Sequence, residues 1–195
     1  MLARCGCGAE PIPAERLSQF AERFHAAGFN SNAFMPCYGL AENALAVSFS
    51  DENQGFKLNE VDRDILEYQG RAVVPTKDTR AVSTFVNCGK ALPGHRIEIR
   101  SENGTPLPER EVGRIYISGP SLMSGYLHDV ASQLETQKTG WMDTGDLGYL
   151  LDGYLYVTGR KKDLIIIHGR NIWRRILNIL RRWSLKSTPA IQSHL

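Results

Sequence analysis

The chain has 195 residues, of which 42% are hydrophobic and 23% charged, which is typical of a globular protein with a buried core. Its formal net charge of +2 is unevenly distributed, because residues 172–195 hold five basic residues and no acid. The remaining chain carries 18 Lys and Arg against 21 Asp and Glu. A mildly acidic body with a basic tail does not favour a nucleic-acid-binding protein.

Membrane, secretory and zinc-binding signals are absent from the sequence. No apolar run is long enough to be a transmembrane segment, and the first residues lack the apolar stretch of a signal peptide. Cys5 and Cys7 form one C-x-C pair, but Cys37 and Cys88 do not complete a second pair, and no histidine cluster accompanies them. We therefore expect reduced, structural thiols in a cytoplasmic protein.

The first half of the chain predicts a helix, a strand and a polar stretch, in that order. Residues 13–28 have a helical apolar face, with Pro13 in the first turn and Gly28 as the stop. A strand is predicted over 35–38, before a turn at Gly39, whereas 41–49 is apolar and of ambiguous type. Residues 51–84 are polar and weakly periodic, so we expect a loop with short pieces of structure.

The second half changes to the alternation that is typical of β-strands. Strands are predicted over 96–100 and 112–118, with a turn signal at 102–105 between them. Residues 141–167 supply three more short strands around a turn at 152–153. The segment 85–160 is therefore predicted to form a small antiparallel barrel or sheet.

The most informative pair of segments lies in this second half. Residues 141–148 read Trp-Met-Asp-Thr-Gly-Asp-Leu-Gly, and residues 158–167 read Thr-Gly-Arg-Lys-Lys-Asp-Leu-Ile-Ile-Ile. A carboxylate in a glycine turn, as at Asp146, can accept hydrogen bonds from the two vicinal hydroxyls of a ribose. The nearby Arg160 can donate to the same sugar or to a phosphate.

Together these segments resemble the signature of the adenylate-forming enzymes, which are the AMP-dependent acyl ligases and synthetases. Further segments resemble motifs of the same superfamily in the same order, and the resemblance extends over residues 8–171. They are residues 8–12 (Gly-Ala-Glu-Pro-Ile), 38–42 (Tyr-Gly-Leu-Ala-Glu), 87–94 (Asn-Cys-Gly-Lys-Ala-Leu-Pro-Gly) and 113–119 (Gly-Arg-Ile-Tyr-Ile-Ser-Gly), the last continuing to Gly-Tyr at 125–126.

The resemblance implies where adenine would bind. Gly8, Ala9 and Glu10 correspond to the turn along the adenine edge, where small residues let the backbone approach the base. The ring of Tyr38, followed by Gly39, would stack on adenine. The structural alternative is that Tyr38 is a core tyrosine whose hydroxyl is hydrogen-bonded.

The resemblance also implies roles for four other residues. Asp146 and Arg160 would hold the ribose, and Glu42 would approach the Mg²⁺ that accompanies the phosphates of ATP. Asp163 corresponds to the family hinge, about which a small C-terminal lid swings between two half-reactions. Alternatively, Glu42 could be a solvated or capping carboxylate and Asp146 a turn-former.

Within the superfamily, the sequence is most similar to the fatty acyl-AMP ligases. Ala41 within residues 38–42 and the run at 164–171 (Leu-Ile-Ile-Ile-His-Gly-Arg-Asn) support this, as does an insertion-like stretch between Tyr38 and Gly89. The implied fold is α+β or mixed α/β, namely the C-terminal part of the large N-terminal domain, with a small antiparallel barrel-like subdomain and no complete lid domain. We expect a partial α/β subdomain at 1–84, an antiparallel β subdomain at 85–163, the start of the lid at 164–171 and an atypical basic tail at 172–195.

The implied chemistry is an ATP-dependent activation of a fatty acid or related carboxylate. The acid attacks the α-phosphorus of ATP and yields acyl-AMP and pyrophosphate. A phosphopantetheine thiol of an acyl carrier protein, or of a polyketide or peptide synthetase, then attacks the anhydride. Such catalysis depends on positioning and on neutralising phosphate charge.

Three family features are missing from the sequence: the Ser/Thr/Gly-rich phosphate loop, the lid with its lysine, and most of the acyl-binding region. We therefore expect an internal piece of a longer ligase, with little or no activity alone. Relatives continue after Gly-Arg-Asn with an aromatic residue and Pro-Gln-Asp-Ile-Glu, whereas this sequence becomes basic after residue 173. A frameshift is one explanation for the tail.

The tail also allows a different interpretation, in which the protein is a binding module and not an enzyme. Ile172, Trp173, Ile176, Leu180 and other apolar residues recur at helical spacing among arginines. Such a basic amphipathic helix could bind an anionic membrane or a partner's groove, and the protein would then be a degenerate ligase domain that acts as a binding module.

Overall fold

The computed structural model describes residues 4–127, 136, 138–167 and 170–173. Predictions about residues 174–195 therefore lie outside the described part of the chain. The strands and helices are β1 (Cys5–Cys7), α1 (Ala14–His25), β2 (Phe34–Tyr38), β3 (Ser48–Phe49), β4 (Leu58–Asp62), α2 (Arg63–Gln69), β5 (Val82–Val86), β6 (Lys90–Ala91), β7 (Arg96–Arg100), β8 (Gly113–Ser118), β9 (Met142–Leu151), β10 (Tyr154–Arg160), β11 (Leu164–Ile167) and β12 (Arg170–Trp173), with 3-10 turns at Ser31–Ala33, Ala41–Asn43 and Lys161–Asp163.

A mixed sheet with the strand order β1-β2-β3-β6 forms the first half of the fold. β1 runs parallel to β2, and the other pairs are antiparallel. Helix α1 covers this region, where Leu17 is buried in one cluster with Phe34 and Val86. The predicted helix and strand are confirmed, although α1 ends at His25, before Gly28 turns the chain with a φ of +84°.

An antiparallel sheet with the order β10-β9-β8-β7 forms the second half. The predicted antiparallel sheet is therefore confirmed, and the described strands leave it open, with β7 and β10 as its edges. The two faces of the sheet differ because burial alternates along its strands. In β8, Ile115 and Ile117 are buried, whereas Arg114 and Tyr116, which alternate with them, are partly exposed.

Residues 87–89 connect the two sheets. The amide of Cys88 donates to the carbonyl of Leu155 at 2.8 Å, and the amide of Leu155 donates to the carbonyl of Gly89 at 2.9 Å. Tyr38 of the first sheet and Ile115 of the second are consequently buried in one cluster with Leu155. This shared core brings the end of β2 close to β9.

The polar stretch at 51–84 contains more structure than the predicted loop. β4 leads directly into α2, and β4 pairs with β5 at the far end of the segment. Asp62 caps α2, since its Oδ1 accepts a hydrogen bond from the Ile65 amide at 3.0 Å, and Gly70 ends the helix at a φ of +66°. These two caps were readable in the sequence, and the loop prediction overlooked them.

The hairpin of β11 and β12 follows the turn at Lys161–Asp163 and lies against α2. Arg170 of β12 pairs with Asp64 and with the buried Glu67 of α2. The proposed division into subdomains at residues 84 and 85 stays a prediction. The pairings β3–β6 and β4–β5 both cross that boundary. No helix in the described ranges combines the length and the hydropathy needed to span a membrane.

Candidate functional site

Two of the predicted adenine-contact segments meet at one edge of the mixed sheet. β1 and β2 are parallel, with Cys7 in register with Pro36. The residues that follow β1, beginning with Gly8, therefore lie beside Cys37 and next to Tyr38 at the end of β2. Ligands of α/β proteins commonly bind beyond the carboxyl ends of parallel strands. The region beyond the carboxyl ends of β1 and β2 is therefore a physically reasonable site.

The turn at Gly8 requires glycine because of its close contact with β2. A Cβ atom at Gly8 would lie 2.7 Å from the carbonyl oxygen of Cys37 and 2.8 Å from its sulfur, both closer than van der Waals contact allows. Ala9 then adopts a φ of +66°, and Glu10 is exposed. The turn thus places its backbone close to β2 beyond the end of β1. Its role along the edge of an adenine stays a prediction.

Asp146 lies at the centre of the predicted nucleoside site. Its Oδ2 accepts a hydrogen bond from the Tyr38 hydroxyl at 2.8 Å, and its Oδ1 accepts one from Nε of Arg160 at 2.8 Å. The side chain of Asp146 is 13% exposed, whereas that of Arg160 is 53% exposed. The structure therefore brings together the three side chains that the sequence assigned to one nucleoside, with the arginine on the solvent side.

Electrostatics at this cluster favour a neutral tyrosine beside a charged pair. Burial raises the pKa of Tyr38 far above its usual range, and the negative charge of Asp146 raises it further. The hydrogen bond to Asp146 raises the pKa of Arg160. Tyr38 therefore acts as a hydrogen-bond donor to Asp146 at any physiological pH.

Tyr38 also has the features of the structural alternative. The residue is only 7% exposed and belongs to the shared core, and its hydroxyl is hydrogen-bonded. A buried tyrosine with this bond orients the carboxylate of Asp146 whether or not its ring stacks on a base. The predicted stacking on adenine stays a prediction.

Strand pairing explains how Asp146 and Arg160 meet. The two residues are in register on β9 and β10 after an irregularity between Val157 and Gly159. Cross-strand neighbours of opposite charge are a common stabilising pair in antiparallel sheets. Gly145, directly before Asp146, has a φ of +73°, a conformation that glycine adopts without strain.

Glu42 lies in the 3-10 turn after β2, apart from this cluster. Its carboxylate accepts a hydrogen bond from the hydroxyl of Tyr126, and its backbone carbonyl accepts one from the Met123 amide at 2.8 Å. In the described ranges, no group of three or more His, Cys, Asp or Glu side chains is arranged to hold a metal ion. A single carboxylate fits Mg²⁺ only in the mode in which substrate phosphates and water supply the other ligands.

Asp163 ends the 3-10 turn that directly follows Arg160, at the predicted hinge position. Its negative charge contributes to the raised pKa of Arg160. The four cysteines are free thiols, and burial, together with the neighbouring Cys37 and Cys5, raises the pKa of Cys7 to about 11.

The sequence did not predict the direct bond between Tyr38 and Asp146, which are 108 residues apart. No local pattern specifies such a contact, because it depends on how the two sheets pack. The hydrogen bond between Tyr126 and Glu42 was overlooked for the same reason, since its partners are 84 residues apart.

Comparison with known proteins places the chain in a family. Residues 2–127 match the family model for AMP-binding enzymes. A putative acyl-CoA synthetase of Caulobacter vibrioides is 43% identical over 172 residues, which cover 86% of this chain and 30% of the relative. A medium-chain-fatty-acid–[acyl-carrier-protein] ligase of Moorena producens is 33% identical over 200 residues, which cover 95% of this chain and 33% of the relative.

A solved structure from work on fatty acyl-adenylate ligases of E. coli and L. pneumophila is similar in fold and in sequence. It superposes with a TM-score of 0.91 and is 68% identical, and the match covers 93% of this chain and 33% of that one. The chain belongs to the AMP-binding, adenylate-forming enzyme family. It spans about a third of the length of each of these relatives.

Proposed function

We propose that this chain forms the nucleoside-binding part of an ATP-dependent ligase that adenylates fatty acids. The observation that carries the proposal is the carboxylate of Asp146, held between Tyr38 and Arg160 at 2.8 Å from each. The similarity to proteins named as fatty acyl-adenylate and fatty-acid ligases supports the substrate class.

The hydrogen-bonding capacity of Asp146 suits a ribose. A carboxylate has about four lone-pair sites, and the bonds from Tyr38 and Arg160 use two of them. Two sites remain for the vicinal 2′- and 3′-hydroxyls, while the flanking donors keep the carboxylate oriented. Arg160, being half exposed, keeps further N–H groups for the sugar or for a phosphate oxygen.

The proposed chemistry is attack of the fatty acid carboxylate on the α-phosphorus of ATP, which breaks the bond to pyrophosphate and forms acyl-AMP. The residues of this chain contribute to positioning rather than to covalent chemistry. The turn at Gly8, Ala9 and Glu10 and the segment of Tyr38 and Gly39 border the adenine. Holding base and ribose fixes the α-phosphorus relative to the incoming acid.

Glu42 is the proposed Mg²⁺ contact, with the phosphates of ATP as co-ligands. A bound Mg²⁺ would neutralise charge on the transferred and leaving phosphates. The contact with Tyr126 holds the Glu42 carboxylate in place. Asp163 is the proposed hinge between the two half-reactions.

The proposed acceptor of the acyl group is the phosphopantetheine thiol of an acyl carrier protein, on a separate protein or within a polyketide or peptide synthetase. A relative whose name includes an acyl carrier protein as substrate aligns with 95% of this chain. In this step the thiol sulfur attacks the acyl carbon, a thioester forms, and AMP leaves.

Calorimetric titration of the 195-residue chain with AMP, and with a non-hydrolysable acyl-sulfamoyl adenosine, tests the proposal. Both ligands are expected to bind. Asp146→Asn should weaken both at least about tenfold, because an amide cannot accept from Arg160 and from two hydroxyls as a carboxylate does.

Asp152→Asn is the matched control, because it makes the same chemical change in the exposed turn between β9 and β10. It should leave the affinity for both ligands unchanged within about twofold, as surface changes far from a site usually do. Failure of the unchanged chain to bind either ligand, or equal weakening by both variants, would refute the proposed site.

A further inference from the structure

Asp146 is presented by a bulge in β9. On the facing strand β8, Arg114 pairs with Leu147 and Tyr116 pairs with Asp143. One residue of β8 therefore faces three residues of β9, numbers 144–146. Bulges re-aim side chains and recur beside functional sites, and this one directs the Asp146 carboxylate towards Tyr38.

Side-chain hydrogen bonds hold the bulge. The hydroxyl of Thr144 donates to the carbonyl of Ile115 at 2.9 Å and accepts from the amide of Asp146 at 3.1 Å. The amide of Gly145 donates to Oδ1 of Asp143 at 3.0 Å. Regular pairing with β8 is interrupted at the bulge, so on that side these contacts hold the backbone that carries Asp146.

Arg114 in turn fixes Asp143. Its guanidinium pairs with Oδ2 of Asp143, and the two side chains are only 22% and 26% exposed. A partly buried pair is screened less by water and salt than a surface pair, so it orders the carboxylate more strongly. A continuous chain of contacts therefore runs from Arg114 through Asp143 to the Gly145 amide, one residue before Asp146.

We propose that Arg114 is a positioning residue for nucleotide binding, acting through Asp143 on the bulge that carries Asp146. Within the described part of the chain, Arg114 forms no hydrogen bond or ion pair with Asp146, Tyr38 or Arg160, and it lies on the opposite face of the sheet from the buried Ile115. The inference rests on the proposed function for the identity of the ligand. The effect of Arg114 on the bulge can be measured without any ligand.

The experiment compares Arg114→Met with Arg100→Met in the full chain. Arg100 is in register with Arg114, pairs with Glu98 at 2.7 Å, and lies over the ring of Tyr116, as Arg114 does. In the described ranges Arg100 forms no hydrogen bond or ion pair with residues 144–146, so Arg100→Met removes an ion pair on the same face, together with the contact of Arg100 with the Trp141 ring. Arg114→Lys keeps the charge and should restore most of what Arg114→Met loses.

Two readouts are taken on each variant: hydrogen exchange at the Gly145 amide, and the calorimetric affinity for AMP. Arg114→Met should accelerate exchange at Gly145 relative to the strand core, and should raise the Kd for AMP about tenfold, as loss of a supporting contact does at preorganised sites. Arg100→Met should change neither by more than about twofold. Asp143→Asn, which keeps an acceptor for Gly145 but removes the charge, should reproduce Arg114→Met.

The outcomes separate the inference from the proposed function. Unchanged exchange at Gly145 in both Arg114→Met and Asp143→Asn overturns the inference, as does equal weakening of AMP binding by Arg114→Met and Arg100→Met. If the unchanged chain binds no AMP, the proposed function fails, and the exchange data alone then decide whether Arg114 orders the bulge. Should Arg114→Met not fold, Asp143→Asn carries the same comparison.

Discussion

At the scale of single residues, the carboxylate of Asp146 joins distant parts of the chain. Its partners Tyr38 and Arg160 are 108 and 14 residues away, and one is buried while the other faces solvent. The buried donor fixes the direction of the carboxylate, and the exposed donor pairs with it on the solvent side. The same two contacts leave capacity for a ligand, so stability and proposed binding depend on one group.

Tyr38→Phe tests the contribution of the Tyr38 hydroxyl to stability at alkaline pH. Because the pKa of Tyr38 is raised in the folded protein, its contribution to the free energy of unfolding is fully present below pH 10, the usual tyrosine pKa. Above pH 10 the unfolded chain loses this proton and the folded protein keeps it, so stability falls as the pH rises.

The variant should lose about 1.5–3 kcal/mol at pH 8, the value of a hydrogen bond to a charged group. It should also show a shallower fall between about pH 10 and 11 than the unchanged chain. Urea unfolding at a series of pH values measures both effects. The slope is expected to decrease but not disappear, because burial raises the pKa of Tyr149 as well. Parallel curves for the two proteins would refute the assigned role of Tyr38.

The residues of this site were largely predictable, and their contacts were not. Asp146 and Arg160 could be paired from sequence because they lie on adjacent strands of one hairpin. Tyr38 could be assigned only through the family resemblance. Its burial and its bond to Asp146 follow from the packing of two sheets, which no local periodicity encodes.

At the scale of secondary-structure elements, an ion pair joins α2 to the hairpin after the predicted hinge. Glu67 is 1% exposed, and its Oε2 accepts from Nε of Arg170, while Nη2 of Arg170 lies 3.1 Å from Asp64. Removing one partner of a buried pair leaves an uncompensated charge, which costs more than the pair contributes.

Arg170→Met should therefore lower the free energy of unfolding by about 3 kcal/mol, the low end for such a loss, because Arg170 is itself a third exposed. Adding Glu67→Gln should recover a large part of this loss, since the double variant buries no unpaired charge. Asp64→Asn serves as the control and should cost less than about 1 kcal/mol, because that partner is exposed. A double-mutant cycle from urea unfolding measures the coupling, and strict additivity of Arg170→Met and Glu67→Gln would contradict it.

The elements of the second half were predicted better than those of the first. Alternation gave the strands around 96–100, 112–118 and 141–160, because one face of that sheet is buried and the other is partly exposed. The unit of β4 and α2 was overlooked because its residues are polar, although Asp62 and Gly70 mark both ends of the helix. The pair of Arg170 and Glu67 could not be predicted, since a sequence does not show which of its many charges become buried.

At the scale of the whole molecule, we expect this chain to bind a nucleotide without catalysing the reaction. The chain spans about a third of its relatives, and Glu42 is the phosphate-side residue that the resemblance assigned within it. The expectation that the chain lacks activity alone stays a prediction, as do the frameshift, the amphipathic tail and the cytoplasmic location.

An assay of ATP–pyrophosphate exchange that depends on a fatty acid tests the expected lack of activity. The 195 residues alone should bind AMP yet show no exchange above background, because Glu42 with a bound Mg²⁺ would neutralise only part of the phosphate charge and so leave most of the barrier in place. Robust exchange that depends on added fatty acid would contradict the prediction and would require a catalytic set within these residues.

The central claim is that Asp146 recognises the two hydroxyls of a ribose, and a comparison of AMP with 2′,3′-dideoxy-AMP tests it most directly. The unchanged chain should bind AMP at least about tenfold more tightly than the dideoxy analogue, since the analogue leaves the carboxylate without its two donors. Asp146→Asn should reduce that preference to near unity while Asp152→Asn retains it. Equal affinity of the unchanged chain for the two nucleotides would contradict the account.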